Sequence, residues 1–505
     1  MTVQPSKKLL RELLLNICQI EPTWDRAITG LANDSRTVKP GDLFFAYPGT
    51  QADGRHYMNA AIEKGAVAVL AEADATMPKM ELRNGQLNHT IPIFTVANLA
   101  SQVSEIAARF YEHPSHHMSV VGITGTTGKT SCSQFLANSL QLAQKTCGVI
   151  GTLGNGLYGQ LQHTDLTTPD AVILQQLLAQ LRSQAAQYVA MEVSSHGLEQ
   201  RRVQGIEFTI GLFTNLSQDH LDYHGDMEHY AAAKRLLFSH PELRYAVLNV
   251  DDAHGRQWCK ELEASLPVYT YSLTPNRMQR ELHTYVLHSV CNDMGITASI
   301  HTPWGDGLLH NPYLIGNFNL SNLLAVLVIL NILGIPFQTA LAHLAKLHGV
   351  PGRMESFGGG IKPLIIVDYA HKPDALEQVL NTLRQQCKGK LWCVFGCGGN
   401  RDKGKRPLMG KIAEQYADRI IITDDNPREE ERREIVVDIL NGLMRPQQAI
   451  VEHDRRRAIA HAIECAQAGD IVLVAGKGHE NYQIVGKEKL PLSDSFEVQI
   501  CLERK

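Results

Sequence analysis

Several kinds of protein leave marks that this sequence does not carry. Its ten cysteines include no Cys-x-x-Cys pair; Cys393 and Cys397, inside "WCVFGC", come nearest. Cysteines scattered in this way point to reduced core thiols in a cytoplasmic protein, and away from a disulfide framework. Neither sign of charge is in excess: 48 Lys and Arg against 52 Asp and Glu give a formal charge of −4. That balance predicts no nucleic-acid partner, and there is no acidic tail. The N-terminal "MTVQPSKKLLRELLLNICQ" has no apolar core leading to a small-residue cleavage site, so no secretory signal is expected. The longest apolar run, "LLAVLVILNILGIPF" from Leu323, is short for a membrane span and stops at Gly-Ile-Pro. It predicts a buried helix and no membrane span. Low-complexity tracts and short repeats are also missing.

What remains is a globular α/β chain of 505 residues, too long for one core. Three blocks are expected, at 1–112, 113–346 and 347–505. The first holds the short β-rich runs "DLFFAY", "AVAVLA" and "IPIFTV". "EHPSHH" at 112–117 follows as a solvated linker, its histidines fitting a connection better than a metal site. In the second block, apolar runs alternate with helical segments, the mark of a mostly parallel sheet, with antiparallel strands at 283–302. The third block has "PLIIVDYA", "KLWCVFGCGG", "RIIITDDN" and "DIVLVAGKGHE", each a strand that stops at glycines, acids or a polar turn. In a doubly wound sheet such ends line one crevice, the usual place for a ligand.

The second block opens on "VVGITGTTGKTS", a phosphate loop that departs from the Walker A pattern. That pattern needs a glycine five residues before Gly128, where Ile123 stands. The working parts are nevertheless present between a predicted strand and helix. Gly125 and Gly128 allow close approach, Lys129 can reach outer phosphates, and Thr130 offers a hydroxyl for Mg²⁺. Glu192, leaving a buried strand in "AMEVSSHGL", is a natural Mg²⁺ ligand. "SQDHLDYHGDMEHY" is rich in Asp and His, but its spacing matches no structural zinc pattern.

"GITGTTGKTS", "MEVSSHGL", "TNLSQDHLDYHGDMEHYAAAK", "GNFNLSNLLA", "HGVPGRME", "DYAHKPDAL", "GCGGNRDKGKRPLM", "TDDNPR" and "AGKGHE" occur in order along the chain. Together they resemble the Mur ligase family of bacterial cell-wall synthesis. The resemblance implies an N-terminal α/β domain for a uridine nucleotide substrate, a central P-loop ATPase and a C-terminal Rossmann-like domain. It implies an ATP-dependent ligase that makes an amide through an acyl phosphate.

Carried over by motif, Gly125, Thr126, Thr127, Gly128, Lys129, Thr130 and Ser131 would hold ATP, with Asn317, Arg353 and Asp368 around its adenine, phosphates and ribose. Thr130, Glu192, His220 and a carbamylated Lys234 would serve Mg²⁺. A carbamate replaces a repelling ammonium with a carboxylate-like group. Ser35, Thr50, Gln51 and Ala52 match positions at the uridine end, and Thr167, Thr168, Ser194, Gln200 and Arg202 match positions that contact the nucleotide–peptide. Two residues depart from the family pattern. Leu166 and Thr127 each stand where relatives commonly have asparagine.

The added amino acid is expected to be meso-diaminopimelate, joined to UDP-N-acetylmuramoyl-L-alanyl-D-glutamate. It differs from lysine by a distal carboxylate, which calls for a cation with two parallel donors. Arg428 in "DDNPR" supplies one, and Asp-Asn-Pro-Arg marks the diaminopimelate-adding members of the family. Asp425, Asn426, Pro427, Arg401, Gly476 and Glu480 match the other amino-acid contacts. The competing local reading makes Asn-Pro an ordinary turn before a solvated run, "EEERRE". Lysine addition, or a nucleotide-binding sensor without catalysis, are the alternative functions. A monomer is expected.

Overall fold

A computed structural model describes residues 7–49, 52–74, 78–85, 90–164, 166–275, 281–292 and 295–505. Thr50 and Gln51, two of the expected uridine contacts, lie outside the described residues. The chain forms two compact units, Met1–Leu216 with His220–Thr270 and Ser217–Asp219 with Tyr271–Lys505.

The first unit contains two larger sheets and a short antiparallel pair, Lys8–Leu9 with Ala27–Ile28. In the smaller of those two sheets, Gly30–Ala32, Asp42–Ala46, Ala68–Glu72 and Thr90–Val96 run parallel in that order, with Met80–Asn84 antiparallel at the edge. Successive side chains of a strand point to opposite faces. Leu43 and Phe45 therefore enter one apolar core, while Phe44 and Ala46 enter another. Burial on both faces explains why "DLFFAY" reads as a continuous apolar run without alternation.

The larger sheet orders its parallel strands as Cys147–Gly151, Tyr188–Glu192, Ser119–Thr124, Ile210–Phe213 and Tyr245–Asn249. Gly154–Leu157 adds an antiparallel edge. Ser119–Thr124 is the pivot of this topology: the chain builds outward from it on both sides. Its neighbours end level with it, Glu192 beside Ile123 and Phe213 beside Thr124. A crevice at the carboxyl ends of the strands, where the winding reverses, is the usual binding place in such a sheet.

The two sheets are fastened together. Ser104 Oγ donates to the Arg202 carbonyl (3.1 Å) and accepts from Gly205 N (2.9 Å). Ala171 and Val172, opening the helix Ala171–Ser183, join the core of the smaller sheet. The segment 112–117 is not the solvated linker expected. It contains a packed 3₁₀ turn, Pro114–His117, with Pro114 and Ser115 buried and Ser115 Oγ accepting from Glu207 N (3.1 Å). Its proline was legible as a turn signal, but its burial depends on long-range packing.

In the second unit, His283–Asn292, Gly295–Thr302 and Gly305–Asn311 form an antiparallel meander. The apolar run from Leu323 lies in the helix Asn317–Ile332. Among the described residues, no helix is long and apolar enough to cross a membrane. A six-stranded sheet follows in the order Glu355–Gly358, Leu364–Asp368, Ile471–Ala475, Leu391–Phe395, Arg419–Ile422 and Ile450–Val451. All its neighbours run parallel except the first pair. Beneath the end of Ile471–Ala475 lies a fully buried ion pair. Arg455 donates twice to Asp494 (2.7 Å each) and once to the Ala475 carbonyl (2.8 Å). A bidentate carboxylate offsets much of the cost of burying the guanidinium there.

Candidate functional site

The loop after Ser119–Thr124 leads into the helix Lys129–Leu142, with Gly128 in a left-handed conformation (φ 83°) as its N-cap. The first intrahelical bond is Cys132 N to Gly128 O (2.8 Å). The preceding amides of the first turn are the donors that a helix N-terminus offers to a phosphate. Thr126 and Thr127 spend theirs differently: both N–H groups donate to Asn215, at its carbonyl (2.9 Å) and its Oδ1 (3.0 Å). Thr214 Oγ1 in turn donates to Thr127 O (2.6 Å). Gly125 is pressed so closely on this neighbour (φ 147°) that any Cβ would collide with Thr214 Oγ1. The glycine therefore serves packing against the adjacent strand, beside the phosphate approach expected from the sequence.

Glu192 ends its strand with a fully buried carboxylate. Its Oε2 accepts from Thr130 Oγ1 (2.9 Å) and Thr152 Oγ1 (3.1 Å), and its Oε1 from Thr152 N (2.9 Å). Gly151 leaves the room this carboxylate occupies. Lys129 Nζ bends back to Gly125 O (2.8 Å) and Thr126 O (2.9 Å), while buried Lys234 donates to the same Gly125 carbonyl (2.9 Å). Two ammonium groups sharing one neutral acceptor repel each other, and an anion would relieve that repulsion. Lys234 also lies over the Tyr230 ring, 4.4 Å from its centroid, and the Tyr230 hydroxyl is 3.2 Å from Thr126 Oγ1. Ser131 is buried in the helix's first turn.

His220 begins the short helix Leu221–His224 in a left-handed conformation (φ 55°). Its ring stands edge-on to His196 (4.8 Å between centroids), within a cluster that includes Tyr223 and His224. The expected nucleotide–peptide contacts form one polar chain reaching Glu192. Thr167 Oγ1 lies 3.1 Å from Thr152 Oγ1. Thr168 Oγ1 donates to Glu192 O (3.0 Å) and accepts from Ser194 N (3.0 Å). Arg202 donates to Thr168 O and to Gln200 Oε1 (2.6 Å each), and Gln200 Nε2 donates to the Tyr223 hydroxyl (3.1 Å). Ser194 caps the helix Ser195–Glu199. Leu166 is half exposed beside this chain. Ser35 and Ala52 sit on loops of the smaller sheet.

The second unit carries the remaining residues. Asn317 is the first residue of its helix, and Arg353 lies over the Tyr369 ring (4.6 Å). Asp368, at a strand end, accepts from Met354 N and Ala370 N (2.8 Å each). Burial pushes its carboxyl upward, and the Arg353 guanidinium partly opposes that shift.

Asp425 to Arg428 follow the strand Arg419–Ile422. Arg428 adopts a left-handed backbone (φ 53°) and donates through NH1 to Gly399 O (3.0 Å). Asn426 Nδ2 donates to Glu480 Oε2 (3.0 Å). Gly476 (φ 115°) follows the strand Ile471–Ala475, and a Cβ there would press on Asp425 Oδ2 at 2.8 Å. The Pro427 carbonyl lies against Gly399 so closely that only glycine fits. Arg401 ends the same glycine-rich loop, exposed.

Some residues of these sites escaped the sequence reading. Thr152, Thr214, Asn215 and Tyr230 shape the phosphate loop, yet none belongs to a charge or glycine pattern. Glu430 belongs to the run read as solvated, but its side chain is only 8% exposed. Arg406, fully buried, donates to both its oxygens (2.9 and 2.8 Å) and to Gly398 O (3.1 Å). Glu430 Oε2 also accepts from Asn400 N (2.8 Å). The pair thus ties the glycine loop to the Asp-Asn-Pro-Arg loop, and Arg406 with Lys403 holds the Glu430 carboxyl well below the ordinary glutamate range. A charged side chain in an acidic stretch gives no sequence sign of such burial.

A parallel sheet with a phosphate loop at its switch point, ending beside a buried carboxylate, defines a P-loop nucleotide-binding protein. Three family models match: the Mur ligase family catalytic domain at residues 27–111, the Mur ligase middle domain at 123–330 and the Mur ligase glutamate ligase domain at 352–478. A curated UDP-N-acetylmuramoyl-L-alanyl-D-glutamate–2,6-diaminopimelate ligase of Coxiella burnetii is 48% identical over 482 residues, 95% of this chain and 96% of that one. The protein of the same name in Pseudomonas aeruginosa is 49% identical over 479 residues, again 95% and 96% of the two chains. A solved structure of a ligase with that name shares 36% identity with a TM-score of 0.71, covering 99% of each chain. The chain belongs to the Mur ligase family, ATP-dependent ligases that form amide bonds.

Proposed function

We propose that the protein joins meso-diaminopimelate to UDP-N-acetylmuramoyl-L-alanyl-D-glutamate in the cytoplasm, as a step in building peptidoglycan precursors. The observation that carries this reading is the near-half identity to ligases of that name across nearly the whole chain. In the reaction, the substrate's D-glutamyl γ-carboxylate takes the terminal phosphoryl group of ATP, and ADP leaves. The amine of diaminopimelate then attacks the acyl carbon, the bond to the phosphate oxygen breaks, and the products are an amide and inorganic phosphate. A carboxylate is a poor electrophile, so positioning and charge neutralisation dominate catalysis.

Lys129 would turn from its own loop carbonyls to the outer phosphates, where the acceptors are charged. The buried hydroxyl of Thr130 and carboxylate of Glu192 are hard oxygen donors at a helix N-terminus, a fit for Mg²⁺. Among the described residues, no cluster of three His, Cys, Asp or Glu forms a full protein cage, and Mg²⁺ with a nucleotide needs none. Bound there, Mg²⁺ would spread the phosphates' negative charge. His220 is proposed for a second Mg²⁺. The chain through Thr167, Thr168, Ser194, Gln200 and Arg202 would hold the peptide end of the substrate, and Ser35, Thr50, Gln51 and Ala52 its uridine end. Asn317, Arg353 and Asp368 would contact ATP. The division into three domains at 1–112, 113–346 and 347–505, and a monomeric state, belong to the same reading.

Lys234 is proposed to act as a carbamate, which would replace the second ammonium on Gly125 O with an anion. Lys234→Ala is expected to lower ligase turnover at least about tenfold, a lost charge interaction of 1.4 kcal/mol or more. Full activity in that variant would remove the lysine from the mechanism. The overall reading is tested with UDP-N-acetylmuramoyl-L-alanyl-D-glutamate, ATP and diaminopimelate together. An amide product is expected in step with ADP release; ATP hydrolysis without amide would defeat it.

A further inference from the structure

Beside the proposed amino-acid contacts lies a lysine that neither the expected site nor the reaction uses. Lys477 directly follows Gly476 at the end of the strand Ile471–Ala475, and its side chain is fully buried. An isolated buried ammonium is costly, so its partners define its purpose. They are Glu480 Oε2 at 2.8 Å and Asn426 Oδ1 at 3.1 Å. Both are proposed amino-acid contacts, one from each of two strand-end loops.

The hydrogen bonds settle how these groups are turned. Asn426 Oδ1 accepts from Lys477 and from Ile484 N (2.9 Å), so the amide must face its Nδ2 towards Glu480. Glu480 Oε2 thereby receives two donors, the Lys477 ammonium and the Asn426 amide. The Glu480 backbone is held as well, since its N–H donates to the Lys477 carbonyl (2.9 Å). One carboxylate oxygen is saturated, and Oε1 is the one left to meet an incoming ammonium. A glutamate with both oxygens open could rotate and serve a lysine-like chain in several poses. With Oε2 pinned, the acceptor has one position.

We propose that Lys477 is a positioning residue for amino-acid selection. By fixing Glu480 Oε2 and the Asn426 amide, it aims Glu480 Oε1 at the distal ammonium of a diamino acid whose carboxylate is held by Arg428. Lys477 does not touch the reacting carbonyl or the phosphates. Its loss therefore weakens capture of the amino acid and leaves the nucleotide steps alone. This inference rests on the proposed diaminopimelate reading.

The test measures apparent constants for diaminopimelate, ATP and the nucleotide–peptide, with kcat, in the full-length protein and in Lys477→Met and Lys477→Gln. The expected result is a rise in KM for diaminopimelate of at least about tenfold in both variants, on the scale seen for sub-ångström to 1 Å misplacement. Constants for ATP and the nucleotide–peptide stay within about twofold, because the Lys477 ammonium hydrogen-bonds Glu480 and Asn426 and none of the proposed contacts of those two substrates. An unchanged diaminopimelate KM overturns the inference. So does a parallel shift of all three constants, which would mark Lys477 as structural only. If the unmodified protein makes no amide with diaminopimelate, the functional reading falls first and this inference with it. A normal unmodified enzyme beside indifferent Lys477 variants defeats this inference alone.

Discussion

Replacing Lys129 with methionine is expected to lower kcat by about 10²- to 10³-fold, the usual cost of removing one preorganised charge from a developing transition state. The geometry makes this a clean experiment. Without nucleotide, Lys129 Nζ donates to two carbonyls of its own loop, Gly125 O and Thr126 O. Losing such neutral contacts at a partly exposed place should cost little stability, so the thermal midpoint should move by a few degrees at most. With ATP, the same ammonium would exchange carbonyls for phosphate oxygens, and charge-assisted bonds are roughly twice as strong as neutral ones. Methionine keeps most of the length and removes the charge. A turnover within about tenfold of the unmodified protein would exclude Lys129 from phosphoryl transfer, since one preorganised donor is worth more than that.

Arg428→Ala is the second large effect expected, and it should fall on a different constant. The guanidinium is already aimed by NH1 donation to Gly399 O (3.0 Å), which leaves the rest of its fork for a carboxylate. Removing one member of a buried, hydrogen-bonded charge pair costs about 2–5 kcal/mol. KM for diaminopimelate should therefore rise by about 30- to 4,000-fold, at 1.4 kcal/mol per tenfold, while the ATP constant holds. The unmodified protein should prefer diaminopimelate to lysine by a similar factor, and the variant should lose that preference. Arg428→Lys should recover only part of it, since a point charge cannot offer two parallel donors. Equal specificity constants for the two amino acids in the unmodified protein would remove Arg428 as the carboxylate clamp.

What was legible in the sequence followed the strength of local patterns. Strands buried on both faces announce themselves as apolar runs, so "DLFFAY", "LIIVD" and "IVLVA" were readable in advance. The phosphate loop was readable because glycines, lysine and threonine stand close together in sequence. Edge elements were not: Glu355–Gly358, Ile450–Val451 and the hairpin strands Tyr482–Val485 and Glu488–Pro491 are short, polar or glycine-flanked. Their strand character comes from pairing partners far along the chain or across a turn. The same reason hid Arg406 and Glu430. A buried charge is defined by its counter-charge, and Glu430 lies 24 residues from Arg406, too far for any local pattern to connect them. Gly125 shows a subtler case, in which the residue was readable and half of its purpose was not. Phosphate approach explains the glycine, but so does the Thr214 hydroxyl that occupies the space of any side chain.

Arg428 is also held by backbone bonds, and these have a consequence for altering what the enzyme joins. Its N–H donates to Ile484 O (3.0 Å), its carbonyl accepts from Gly486 N (2.8 Å), and it forms a parallel bridge to Val485. The arginine is in effect an added rung on the hairpin Tyr482–Pro491. On the proposed reading of Arg428, selection of the amino acid is inherited from strand register. A graft of the Asp-Asn-Pro-Arg loop alone into another scaffold would carry the letters of the selectivity without its ruler, and the hairpin is the part that must travel with it.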